Sequence, residues 1–423
     1  MRRSIVALIF LYLVLQAFES VVRWVLDMAH AGVLIYARDA GLLIAIALSV
    51  CVLLHERRNV SRAFWLVWFV SIGSLIALSS GLRVEQVLFG IKIWLPFMAG
   101  FLLVESEEVA RLNRPRFWAI VWCLLCFGIF VNYFYRYPWT GLSYRVGNVD
   151  VIANREWTAG SIPRLSGFSR SSFDAAASIL ILFVYLVSTF KNRLARLLLV
   201  ILSGVAIALT TTKGIMAVFI GTLLFLPLQS GVGANIVRFK RIASGTICLV
   251  AAIGLIFPIV SLRIAFPQFR KGSIEDWLFG SLLDRAWTTW PDAFGWLSDW
   301  QLVIGRGIGG IGVPQYLFES PLSANPADNM FVYLYVTAGL MGASFYVFSS
   351  WAGTYLSYEN KSERLVFLLQ FCLFGYGITA NVIEESMLAM VYGGVFSFIF
   401  MRFGARFFRV AAPVVGSPAP TEF

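Results

Sequence analysis

Charge is what this chain has least of. Only 13% of its 423 residues are Asp, Glu, Lys or Arg, against about 25% in a soluble domain. That scarcity excludes a normally hydrated globular surface. Histidine is almost missing: His30 and His55 are the only two, and their separation argues against a histidine-based metal centre. Five cysteines, Cys51, Cys123, Cys126, Cys248 and Cys372, all fall inside apolar runs. Cys123 and Cys126 have C-x-x-C spacing, but inside an apolar helix and with no second pair they read as packing. No metal and no cofactor is expected. Acidic residues number 23 against 34 Lys and Arg, for a formal net charge of +11.

What abounds is apolar surface: 59% of the residues are hydrophobic and the mean hydropathy is +0.78. A helix needs about 20 apolar residues to cross the hydrocarbon core of a bilayer. Runs that reach or approach this are 4–22, 40–54, 62–80, 87–104, 117–135 and 173–190, then 196–212, 214–229, 244–262, 329–350, 364–382 and 386–401. The pattern predicts an all-α polytopic transmembrane helical bundle of about 12 spans. One domain covers 1–410, and 411–423, with Pro413, Pro418 and Pro420, is a mobile cytoplasmic tail. Met1-Arg2-Arg3 before an apolar run has the look of a secretion signal. Ala17-Phe18-Glu19-Ser20 offers no small-x-small cleavage site, so the run reads as an uncleaved first span.

The short connections give the orientation. Cations recur at every second one: Arg2-Arg3, Arg57-Arg58, Arg111/Arg114/Arg116, Lys191/Arg193/Arg196, Arg238/Lys240/Arg241, Lys361/Arg364 and Arg402/Arg406/Arg409. The positive-inside rule then puts both termini in the cytoplasm. Two connections on the other face, 136–172 and 263–328, are long and escape that rule. They carry Arg136, Arg145, Arg155, Arg164, Arg170, Arg263, Arg270, Lys271, Arg285 and Arg306. Trp277, Trp287, Trp290, Trp296 and Trp300 predict packed structure there, with short helices along the membrane surface. Basic loops can hold anionic headgroups. The sharper reading is one bound anionic ligand, since arginine's planar fork donates paired hydrogen bonds and keeps its charge.

Several segments are candidates for chemistry. Leu209-Thr210-Thr211-Thr212-Lys213-Gly214 joins two spans and sets a lysine at membrane depth: a snorkelling anchor, or a phosphate-binding cation beside a helix N-terminus. Gly305-Arg306-Gly307-Ile308-Gly309-Gly310 has the spacing of a nucleotide loop but no βαβ unit around it. Its glycines suit close approach of backbone to a ligand or helix. Pro326-Ala327-Asp328-Asn329 opens a span with Asp328 placed as an N-cap, or as a general base or sugar-orienting carboxylate. Glu384 and Glu385 are a second carboxylate candidate, and Lys92, inside an apolar run, is a charge that can lie deep.

In order along the chain, Arg164-Leu165-Ser166-Gly167-Phe168, the Thr212-Lys213-Gly214 turn, Arg285-Ala286-Trp287, Gly305-Arg306-Gly307-Ile308-Gly309 and Asp328-Asn329 through Gly339-Leu340-Met341-Gly342 resemble the O-antigen ligase and polymerase superfamily, which includes the Wzy-type polysaccharide polymerases. The resemblance spans about 160–345, and two departures stand in it. Lys213 occupies a place where the family often has arginine, and Asp328-Asn329 a place where ligases carry His-Asn, which favours a polymerase. The resemblance implies a metal-independent, GT-C-like membrane glycosyltransferase of the bacterial inner membrane, with its active site facing the periplasm. Such an enzyme moves a growing glycan from undecaprenyl diphosphate to the next lipid-linked repeat unit. Arg285 and Asp328 are then the catalytic residues, and Arg164, Lys213, Arg306, Arg170 and Asn329 hold substrate. The partners are lipid-linked donor and acceptor oligosaccharides, membrane lipids and a chain-length regulator, with no nucleic acid. The alternatives are an O-antigen ligase acting on lipid A core and, from another class, a lipid-linked oligosaccharide flippase or transporter. A transporter predicts repeated halves, and no repeat links the two halves here.

Overall fold

The computed structural model describes residues 1–57, 60–103, 112–146, 149–152, 154–159, 162–230, 232–264, 266–267, 269–320, 324–356 and 358–411. Arg58, Arg111 and the tail from 412 lie outside the described residues.

Every apolar run of the sequence carries a helix, the one local structure that satisfies its own backbone groups in hydrocarbon. Among the described residues seven helices are long and apolar enough to cross a membrane. They include α3 (Tyr36–His55), α4 (Val60–Ser79), α5 (Val84–Leu102), α6 (Pro115–Phe134), α7 (Ser172–Thr189), α10 (Val232–Ser261) and α15 (Met330–Trp351). The first run is not one straight span. α1 (Arg2–Ala17) and α2 (Glu19–Met28) bend by 86° at Phe18 and make an eighth crossing only as a broken pair. The break places Glu19 where its buried carboxylate meets Arg23 and Arg38, partners that a charge at this depth requires. α8 (Arg193–Leu209) and α16 (Lys361–Gly377) have 17 residues each, and α9 (Lys213–Ser230) and α17 (Ser386–Ala411) contain the shorter apolar stretches Lys213–Leu226 and Ser386–Arg402. Helix length and composition thus support fewer crossings than the dozen runs suggest.

The long helices wear apolar side chains on their outside: Leu43 and Ile44 on α3, Phe64 and Leu75 on α4, Leu124 and Phe127 on α6, Leu249 and Ile253 on α10 are all exposed. A water-facing protein does not leave continuous apolar bands bare. This is a membrane protein.

The two long connections meet at one end of the bundle and differ from each other. The second contains the expected short helices, α11 (Ile274–Asp284), α12 (Trp290–Gly295), α13 (Gln301–Ile304) and α14 (Val313–Phe318), with a π turn at Arg285–Thr289. The first holds two antiparallel hairpins in place of helices, Ser143–Val146 with Val149–Ile152 and Trp157–Ala159 with Ile162–Arg164. The β-branched and aromatic residues of these short segments favour extended pairing. The all-α expectation is corrected there.

The glycine-rich segment 305–312 folds back into the bundle between α4, α5 and α15. Gly307 has φ +89° and lies so close to Ala77 that a Cβ would collide with its backbone. Ile308 N donates to Gly73 O, two turns from the end of α4. α15 is broken at Ala338–Gly339, and the freed carbonyls of Val336 and Thr337 accept from Arg306 N and Gly307 N. The re-entrant loop therefore caps a half-helix, which explains how irregular backbone survives at this depth.

Candidate functional site

Arg285 begins the π turn and projects toward the start of α15. Its Nε donates to Asp328 Oδ2 at 2.9 Å, and its Nη1 donates to Ser281 O at 3.2 Å. Ala327 and Asp328 both adopt positive φ, +62° and +45°, a costly backbone for non-glycine residues and a mark of functional positions. The helix cap itself belongs to Asn329, not to Asp328 as the sequence suggested. Asn329 Oδ1 accepts from Val332 N, and its Nδ2 donates to Gly254 O and Ile378 O, each at 3.0 Å. Fully buried, Asn329 ties α10, α15 and the end of α16 together. By taking the cap it leaves Asp328 to Arg285.

Lys213 is the first residue of α9, after a tight turn with Thr211 at φ +52°. Its Nζ lies 4.7 Å from the ring centre of Trp277 on α11. It feels the charges of Arg164, Asp276 and Arg285 together. Arg164 ends the second hairpin with its guanidinium 5.5 Å over Phe173. Burial, then the charge of Arg285, lowers its pKa, as expected of cations pressed together. Its Nε is buried without a hydrogen-bond partner among the described residues. Gly167 fixes this placement: it packs against Gly128 and Ile129 of α6, and its carbonyl accepts from Trp139 Nε1. Two loops and one interhelical turn thus bring Arg164, Lys213 and Arg285 to one place.

A second group of charges lies against the first. Glu384, in the segment between α16 and α17, accepts from Val313 N at 2.8 Å. Desolvation pushes its half-buried carboxyl up to about 7, against the pull of Val313 N–H and of Arg155, and Asp328 adds to the rise. Desolvation also raises the pKa of Glu385, followed by the charge of Asp174 and a hydrogen bond with it. Arg155 and Arg170 act on both glutamates, so Arg170 belongs to this group. Asp174 went unrecognised in the sequence, although Ser171-x-x-Asp174 is a helix-start signature: Ser171 Oγ accepts from Asp174 N at 3.1 Å. Tyr376 links the groups, since Glu385, Asp328, Asp174 and Arg285 all act on it.

Arg306 sits apart, on the re-entrant loop. It donates to Glu319 at 2.9 Å and to Gly310 O at 2.8 Å, and Glu319 also takes Gln86 Nε2. Lys92 pairs with Asp39 at 3.0 Å, continuing a ladder through Arg38 to Glu19. All five cysteines are free thiols, Cys126 and Cys372 buried among them. Among the described residues no group of three His, Cys, Asp or Glu side chains is placed to hold a metal ion.

Three guanidinium or ammonium groups facing chiefly Asp328 and Asp276 have the charge to attract an anion. Cations held together before the ligand arrives stabilise developing negative charge without reorganisation. No protein-family model, curated protein or solved structure matches this chain.

Proposed function

We propose that this protein is a glycosyltransferase of the bacterial inner membrane, and specifically a polysaccharide polymerase. It transfers a growing glycan from undecaprenyl diphosphate to a hydroxyl of the next lipid-linked repeat unit, at the periplasmic face. The observation that carries this reading is the convergence of Arg164, Lys213 and Arg285 beside Asp328. A lipid diphosphate is the anion such a site fits at a membrane surface. The choice of polymerase over ligase rests on Asp328-Asn329 standing where ligases carry His-Asn.

In this mechanism the diphosphate lies among the three cations. The acceptor oxygen forms a bond to the anomeric carbon as the bond from that carbon to the phosphate oxygen breaks. The electron pair leaves with the diphosphate, where Arg285 and its neighbours neutralise the new charge. Asp328 orients the acceptor hydroxyl. Glu384 takes the proton, because a carboxyl with affinity near neutrality is suited to general-base work.

The test is elongation of a purified lipid-linked repeat unit by the purified protein. Arg285→Ala should cut elongation by roughly 100-fold or more, the scale of losing one preorganised charge-stabilising donor, while the protein stays folded. Full elongation by that variant overturns the reading. Movement of the substrate across vesicles with no elongation assigns the protein to transport.

A further inference from the structure

A polar pocket of ≈ 280 Å³ lies where the turn between α4 and α5 meets the end of α14. None of Arg164, Lys213 and Arg285 lines it. Its lining mixes donors with acceptors: Arg83 and Arg306 donate, Glu319 accepts, and Gln86 does both. Phe318 adds an aromatic face and packs at 5.9 Å against Phe89 of α5.

Most of these polar groups are fixed before any ligand arrives. Arg306 donates to Glu319 Oε2 at 2.9 Å and to Gly310 O at 2.8 Å. Gln86 is only 1% exposed, and its Nε2 donates to Gly309 O at 2.9 Å and to Glu319 Oε1 at 2.7 Å. Each Glu319 oxygen therefore has one partner and a lone pair to spare. Among the described residues no hydrogen bond reaches Gln86 Oε1, so this acceptor is left to the pocket. Arg83 is exposed, and its guanidinium makes no hydrogen bond or ion pair among the described residues.

α14 connects the pocket to Glu384. Val313 N, at the start of the helix, donates to Glu384 at 2.8 Å, and Phe318 ends the helix beside Glu319. Six residues at 1.5 Å each set roughly 8–9 Å between the two ends, a span that a short run of sugars covers. Gly312, just before the helix, lies too close to the Glu384 carboxylate for any Cβ. Pocket and carboxylate thus share one frame.

We propose that this pocket is a carbohydrate subsite for the acceptor, holding a sugar further along the repeat unit from the one whose hydroxyl reacts. The proposal rests on the transferase reading above, in which Glu384 takes the proton of that hydroxyl. Ring hydroxyls each donate and accept, so they are held by fixed donors and acceptors side by side. Guanidinium, carboxylate and amide supply both here. The apolar face of a sugar ring packs against an aromatic side chain such as Phe318. A diphosphate is a poorer match, because it meets the Glu319 carboxylate and has no proton to give to Glu319 or to Gln86 Oε1.

The experiment uses the full chain in nanodiscs and the oligosaccharide freed by mild acid from the lipid-linked repeat unit. Binding is read by saturation-transfer NMR titration, beside the acceptor KM and kcat of elongation. The wild type should bind the oligosaccharide. Arg83→Gln, which alters an exposed side chain, should weaken binding roughly tenfold, the scale of losing a hydrogen bond from a charged group. Glu319→Gln keeps the shape of the side chain and should weaken binding to a similar degree. In elongation both variants should raise the acceptor KM by a like factor and leave kcat within about twofold. Arg285→Ala should lose elongation and still bind the oligosaccharide as the wild type does. No binding by the wild type, equal binding by the wild type and both variants, or displacement by an equal concentration of inorganic diphosphate overturns the subsite. Loss of binding in Arg285→Ala also overturns it, by moving the oligosaccharide to the cationic cluster. Normal elongation beside any of the first three results sinks the subsite alone. Oligosaccharide binding that the Arg83 and Glu319 variants weaken, with no elongation by the wild type, sinks the transferase reading and leaves a carbohydrate site.

Discussion

In the proposed transfer Arg285 and Glu384 take different parts, and each can be tried alone. Arg285 uses its Nε on Asp328 and its Nη1 on Ser281 O, a forked geometry that an ammonium cannot copy. Arg285→Lys should therefore keep the charge yet recover only a small part of the elongation lost in Arg285→Ala; full activity in the lysine variant would show that charge suffices. Glu384 makes a prediction in pH. Its carboxyl holds a proton more tightly in the fold than in the unfolded chain, up to about 7 from an ordinary 4.5. The unfolded state then sheds protons first as pH rises, so stability falls between these values and stays lowered above them. Thermal melts in detergent should show wild-type stability dropping across this window, and Glu384→Gln should flatten the drop and melt higher at pH 8. In the proposed transfer elongation should run the other way, rising as pH passes 7, because the base works ionised. Parallel melting curves for the two proteins, or a flat rate profile, would remove Glu384 from this role. These charged side chains were legible in the sequence one by one. Their grouping came only through the family resemblance and from no local pattern, because Arg164, Lys213 and Arg285 are joined by packing between distant segments.

At the scale of elements, the glycine loop and the start of α15 show where local pattern suffices and where it stops. Alternating glycines at 305, 307 and 309 announce close backbone approach, and all three have positive φ. Nothing local says that the approached surfaces are Ala77, Gln86 and the break at Gly339. The cap of α15 was misplaced by one residue for a related reason. Asp and Asn cap equally well, and only the contacts of Asn329 with Gly254 O and Ile378 O decide between them. The hairpins of the first loop were invisible for want of length, since strands of three or four residues carry no period. Three variants test the element-level account. Gly307→Ala sets a Cβ against the Ala77 backbone and strains a positive φ, so it should expel the loop and lower the melting temperature sharply. Asn329→Ala should cost about 1 kcal/mol for the cap and about as much again for each buried carbonyl left unpaired. Asp328→Asn, by contrast, should leave the melt unchanged while lowering elongation. If Asn329→Ala melts like the wild type, the tie between α10, α15 and α16 is not the role of that residue.

For the whole molecule, composition alone gave the environment, because an excess of apolar residues over charges has no other stable arrangement than a bundle clad in lipid. Charge distribution goes further and separates the two ends. At one, Lys361 is crowded by Lys191, Arg196 and Arg364, like charges with a surplus to spare for anionic lipid. At the other, cations lie against carboxylates: Arg285 on Asp328, Arg306 on Glu319, Arg155 near Glu384 and Glu385. The first end has the charge an anchor needs and the second holds the proposed site, and the proposed reaction requires the second to face the periplasm, where the lipid-linked glycan is presented. Single cysteines in a variant lacking the five native thiols decide this. Lys271→Cys, beside α11, should react with a membrane-impermeant maleimide in intact cells, whereas Lys191→Cys should react only after the inner membrane is opened. The reverse pattern would put Arg164, Lys213 and Arg285 on the cytosolic side. A diphosphate site there would meet nucleotide-linked sugars before any finished lipid-linked glycan, and polymerisation would no longer be the chemistry that the cluster serves.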